Sequence, residues 1–115
     1  CYQMGVYYLD APGAPDAPVI SNITDTTMDV SWKPPAQDGG SPVIEYFLEQ
    51  KLSSDFKWSP VTTSQIVNTE FNANQLKTGK TYQFRVAAAN LAGTGKWSQP
   101  STDNLCKAPI GKSLL

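Results

Sequence analysis

Histidine is absent from the 115 residues. That absence removes His-based triads and the commonest metal ligand. Cysteine is nearly absent too: Cys1 and Cys106 stand at opposite margins, with neither a CxxC nor a metal-binding spacing. Such a pair is not the dense, even pattern of a secreted disulfide framework, so both are read as free thiols. Neither sign of charge is in excess, with nine Lys and Arg against ten Asp and Glu for a net charge of −1. The balance offers no basic field to a phosphate backbone, and nucleic acid is not an expected partner. No apolar run approaches the roughly 20 residues that cross a bilayer, and the first residues lack the basic and apolar regions of a signal peptide. No membrane insertion is expected, and the chain reads as a soluble piece of something longer. Helical periodicity and internal repeats are lacking as well.

What the chain has is alternation. Leu76–Asn90 opens on a turn signal at Lys77, Thr78 and Gly79, then sets Tyr82, Phe84 and Val86 against Gln83, Arg85 and Ala87. This is the period of a half-buried strand entered through a tight corner. Ahead of it, Met28, Val30 and Trp32 share one face of a strand that stops at Pro34. A third strand places Ile44, Tyr46 and Leu48 on one face, with Phe47 on the other. Shorter strands are read at Val19–Thr24, Trp58–Val61 and Gln65–Ala73, and a last one at Lys96–Asn104, broken by Pro100. Gln37–Pro42, Leu52–Lys57 and Leu91–Gly95 are loops. Prolines inside strands belong at sheet edges, so the first and last strands are expected there. Before them, Leu9–Pro18 carries Pro12, Pro15 and Pro18, and Ala11–Pro18 is read as an extended linker. The aromatic residues preceding it are either the last strand of another module or a flap on this one. About seven strands at turn spacings of about 8–12 residues predict an all-β, two-sheet sandwich. An odd strand number sends the two chain ends to opposite poles.

Trp32, Tyr46 and the run Leu76-x-x-Gly79-x-x-Tyr82-x-Phe84-x-Val86-x-Ala88-x-Asn90 resemble the fibronectin type III module. The resemblance implies an all-β, seven-stranded antiparallel immunoglobulin-like sandwich without a disulfide, in which Tyr82 bonds its hydroxyl to backbone near Leu76, and in which Trp32, Tyr46, Leu76 and Tyr82 are structural. It implies a domain at 15–105, with 1–14 the end of a preceding module or a linker and 106–115 a linker or tail. The segment Trp32–Tyr46, with Asp38-Gly39-Gly40-Ser41-Pro42 at its centre, is similar to modules of giant sarcomeric proteins such as titin, twitchin and myosin-binding protein C. That narrower likeness implies a non-catalytic structural and protein-interaction module, a spacer and docking unit along filaments in the cytoplasm. Its partners would be proteins, myosin or neighbouring modules of the same chain. Adhesion and guidance receptors also carry the Asp-Gly-Gly-Ser-Pro run, so an extracellular repeat of a membrane receptor is the alternative. An accessory module on a kinase or phosphatase chain is a third.

No catalytic residues, cofactor, metal site or small-molecule substrate are assigned. The carboxylates Asp38, Glu45, Glu49, Asp55 and Glu70 are scattered over loops and outer faces, unlike a paired acid–base site. Gly39-Gly40 and Gly93-Thr94-Gly95 lack the spacing and the following helix of a phosphate cradle. Asn22-Ile23-Thr24 is a glycosylation acceptor only if the chain is extracellular. The protein-binding candidates are Asp38, Gly39 and Gly40 on one loop, Leu91 and Thr94 on another, and the outer-face pair Arg85 and Trp97. Parity turns Arg85 away from the core beside Trp97, where a guanidinium stacks on an indole. Gly95-Lys96-Trp97-Ser98 with Pro100-Ser101 resembles half of the Trp-Ser box of cytokine-receptor modules.

Overall fold

Alternating side chains demand a second layer to bury their apolar face, and the chain supplies it with two antiparallel sheets. The computed structural model describes residues 8–109. Its strands are β1 (Val19–Ser21), β2 (Met28–Ser31), β3 (Glu45–Leu52), β4 (Ser59–Pro60), β5 (Glu70–Ala73), β6 (Thr81–Asn90), β7 (Gly93–Thr94) and β8 (Asn104–Leu105). One sheet has the order β1-β2-β5; the other runs β4-β3-β6-β7, with β8 also paired to β6. The β3–β6 ladder, from Glu45↔Ala89 to Leu52↔Tyr82, is the longest pairing. Between the sheets lie Met28 and Val30 from β2, Tyr46 and Leu48 from β3, and Tyr82, Phe84 and Val86 from β6. Trp32 meets Tyr46 edge-on at 5.6 Å between ring centroids. Its buried Nε1 has no hydrogen-bond partner among the described residues.

The fold is the all-β sandwich expected, and the local differences have physical reasons. The last strand is not one ladder. β7 falls at Gly93–Thr94, in the stretch read as a loop, and β8 at the far end of the expected strand; both pair with β6, and counting the strip from one to the other as a single strand returns seven. The first strand stops at Ser21, because Asn22 turns into the left-handed region at φ 48°. The third strand starts one residue later than expected and runs on to Leu52, so Ile44 lies outside it and is 43% exposed rather than in the core. Gln65–Ala73 pairs as a strand only from Glu70, apart from a single bridge between Ile66 and Tyr46. Edge positions do fall to β1 in one sheet and to the β7 and β8 strip in the other.

The proline-rich lead-in is not a free linker. Pro12, Pro15 and Pro18 are buried, and amides before and between them have partners: Asp10 N donates to Gly39 O and Gly13 N to Gln37 O, both at 2.9 Å. At the other end Cys106 is buried, donates its amide to Lys80 O at 2.9 Å and accepts Gly79 N at 2.7 Å. The folded unit therefore reaches beyond 15–105 at both margins. Cys1, expected as a free thiol, lies outside the described residues. Cys106 is a free thiol.

Candidate functional site

Two surfaces bring the sequence-derived candidates together: the outer face of the β3–β6 sheet and the pole at the Asn90 end of β6.

On the outer face, the register sets Glu49 opposite Arg85. Arg85 Nε and Nη2 both donate to Glu49 Oε1, at 3.0 and 2.6 Å. The guanidinium lies 4.4 Å from the Trp97 ring centre and 4.5 Å from that of Trp58. It is therefore held between two indoles, with the carboxylate fixing its plane. Lys51 extends the row, its Nζ 5.5 Å from the Trp58 ring. The Nζ also donates to the carbonyls of Leu52, Ser53 and Asp55, which ties the row to the β3–β4 turn. Ala87, opposite Phe47 in the register, faces outward by parity yet is fully buried. Each guanidinium–indole contact contributes roughly 0.5–2 kcal/mol, more as water is excluded. Sequence reasoning placed Arg85 beside Trp97 and missed Trp58 and Glu49. Glu49 was legible, since strand parity puts it on the face of Arg85; Trp58 was not, because its approach depends on where β4 lands.

Trp97 is positioned by an unusual strip. Ser98 N donates to Val86 O and Ser101 N to Phe84 O, both at 2.8 Å. In return, Val86 N donates to Ser98 Oγ at 3.1 Å and Phe84 N to Ser101 Oγ at 3.0 Å. Side-chain hydroxyls replace backbone carbonyls as the acceptors for β6. Both serines are buried, as that substitution requires.

At the pole, Asn90 is the organiser. Its Nδ2 donates to Asp10 O at 2.8 Å and to Asp38 O at 2.7 Å, and its Oδ1 accepts Ala92 N at 2.8 Å. Gly39 adopts φ 78°, and a Cβ there would stand 2.0 Å from Asp10 O. A Cβ at Gly95 would stand 2.0 Å from Pro12 O. Gly39 is thus covered by the chain's own lead-in rather than free for a partner. Gly40 is exposed, and Asp38 is exposed with its Oδ1 accepting Gly40 N at 2.8 Å. Leu91 is 80% exposed at the tip of the β6–β7 hairpin, and Thr94 is exposed beside it.

The structural residues sit in the core. Leu76 and Tyr82 are buried, and Tyr82 Oη accepts Lys77 N at 2.9 Å, closing the corner that leads into β6. On the opposite sheet, Asp29 accepts from Asn22 Nδ2 at 2.9 Å and Asn72 Nδ2 at 2.8 Å. The Asn72 bond, then the Asn22 bond, hold its carboxyl below the usual carboxylate range. Asn22 is exposed. Burial, then the charge of Asp25, pushes the Cys106 thiol up.

The paired sheets, the corner tyrosine and a lead-in and exit bonded at opposite ends of β6 define a class: an immunoglobulin-like β-sandwich module. The chain belongs to the fibronectin type III family, whose domain model matches residues 13–104. Human cardiac-type myosin-binding protein C is 37% identical over 109 residues, which is 95% of this chain and 8% of that protein. The twitchin kinase region of C. elegans superposes with a TM-score of 0.81 at 35% identity, covering 91% of this chain and 18% of that one. Domains A168–A170 of titin give 0.80 at 32%, covering 85% and 33%. The chain spans less than a tenth of the length of the myosin-binding protein C relatives.

Proposed function

We propose that this chain is a non-catalytic spacer and docking module of a multidomain sarcomeric protein, working in the cytoplasm along filaments. One observation carries the reading: the lead-in is bonded at the Asn90 end of β6 and the exit at the Lys80 end. Ten residues of strand at about 3.3 Å each separate those points by roughly 30 Å. A unit fixed at both poles passes direction and length from one neighbour to the next, which is what a spacer does. Likeness to myosin-binding protein C, titin and twitchin supports the setting, and myosin or adjoining modules are the partners it suggests.

Docking falls to the Glu49–Arg85–Trp97 face and to the exposed Leu91 and Thr94, with Asp38 and Gly40 beside them. Cosedimentation of the 115-residue chain with reconstituted myosin filaments tests this. Saturable pelleting that Trp97→Ala weakens is the expected result. A chain that stays in the supernatant at every concentration removes myosin as the partner. The exposed acceptor Asn22 favours a second reading, a receptor ectodomain repeat. Glycan on Asn22 of the native protein would establish that reading and exclude the cytoplasm.

A further inference from the structure

We propose that Asp10–Pro18 is a load-sensitive strap, which peels from its seat before the sandwich opens. The proposal rests on the spacer reading, since only a unit in a chain under tension is loaded through its ends. The seat is specific. Gly39 O and Gln37 O accept the two strap amides, and Asn90 Nδ2 donates to the strap carbonyl of Asp10. Gly39 and Gly95 leave the strap backbone space that any Cβ would take, at 2.0 Å in both places. Pro12, Pro15 and Pro18 are buried and hold the segment extended.

The mechanics follow from the order of the bonds along the chain. Tension on the upstream end reaches the Asp10 bonds first, then Gly13, and only past Pro18 does it reach β1. The strap bonds are loaded one after another. The β3–β6 ladder shares its load over every pair from Glu45↔Ala89 to Leu52↔Tyr82. Sequential loading breaks bonds at lower force than shared loading, so the strap yields while the core stands. Nine residues at about 3.3–3.6 Å each bound the released length at about 30 Å, less the distance the strap already spans.

The test is single-molecule stretching of the 115-residue chain between handles at its two ends. The expected trace has a reversible extension of less than about 30 Å before the main rupture. The double variant Asp10→Pro, Gly13→Pro deletes both strap donors without touching the sheets. It is expected to lose that step, or shift it to lower force, at an unchanged main rupture force. Gly39→Ala, which crowds Asp10 O, should do the same by removing the seat. A wild-type trace with no extension before rupture overturns the proposal, as does a step that survives in the double variant at unchanged force. Because the trap reads the chain alone, this outcome is separable from failure of filament binding.

Discussion

A single hydroxyl shows how directly a residue's chemistry is spent on the fold. Tyr82 Oη is the partner of Lys77 N at the corner. Tyr82→Phe keeps the ring burial and orphans that amide, so denaturant melts should show a loss of about 0.5–1.5 kcal/mol. Asp29 gives a pH signature. Its carboxyl is held low by Asn72 and Asn22 in the folded state. A depressed folded pKa contributes stability above the unfolded value of about 3.9 and loses it as pH falls through the folded one. The stability advantage of the wild type over Asp29→Asn should therefore shrink as acid melts are taken from about pH 5 towards pH 2. Cys106 works in the opposite sense. Its raised thiol pKa favours the neutral form, so stability is complete below the unfolded value and declines as alkaline pH passes through the folded one. Buried and protonated at neutral pH, it should react with a thiol reagent far more slowly in the folded chain than in denaturant.

At the scale of an element, the strip from β7 to β8 carries the most unusual pairing. Ser98 and Ser101 hydroxyls serve as the acceptors for the amides of Val86 and Phe84. Removing either hydroxyl leaves a buried N–H unsatisfied, at a cost of about 1–3 kcal/mol each. Ser98→Ala and Ser101→Ala should each lower the midpoint of denaturation, and Ser98→Ala should also loosen the neighbouring Trp97, read as a change in indole fluorescence. This strip marks where the sequence stopped being legible. β2 and β6 were readable because their alternation is the direct imprint of a half-buried sheet. The last strand has no such imprint: its pairing runs through serine side chains around Pro100, so apolar periodicity neither predicts nor excludes it. The candidate face was half legible for the same reason. Parity along β6 pointed Arg85 outward, but bringing Trp58 to its other side depends on a two-residue strand, β4, that pairs across a turn. The seat of the lead-in was not legible because prolines signal the loss of donors, whereas the donors that matter belong to Asp10 and Gly13 before and between them.

For the whole molecule, the two poles matter more than any one surface. The lead-in enters at Asn90, the exit leaves past Cys106 beside Gly79, and the β3–β6 ladder connects them. Under the proposed spacer role such a body would pass length and direction between neighbours, and the outer rib of Lys51, Trp58, Arg85 and Trp97 is the flank proposed for docking. In that proposed role the rib would lose little side-chain freedom on binding, since Glu49 already holds Arg85 in place. The central claim, a spacer within a sarcomeric filament, is tested most directly by where the native protein lies. Antibody raised to this module, imaged on striated muscle of the source organism, should label regular transverse stripes along the filaments. Labelling confined to the cell surface, with carbohydrate on Asn22, would contradict it.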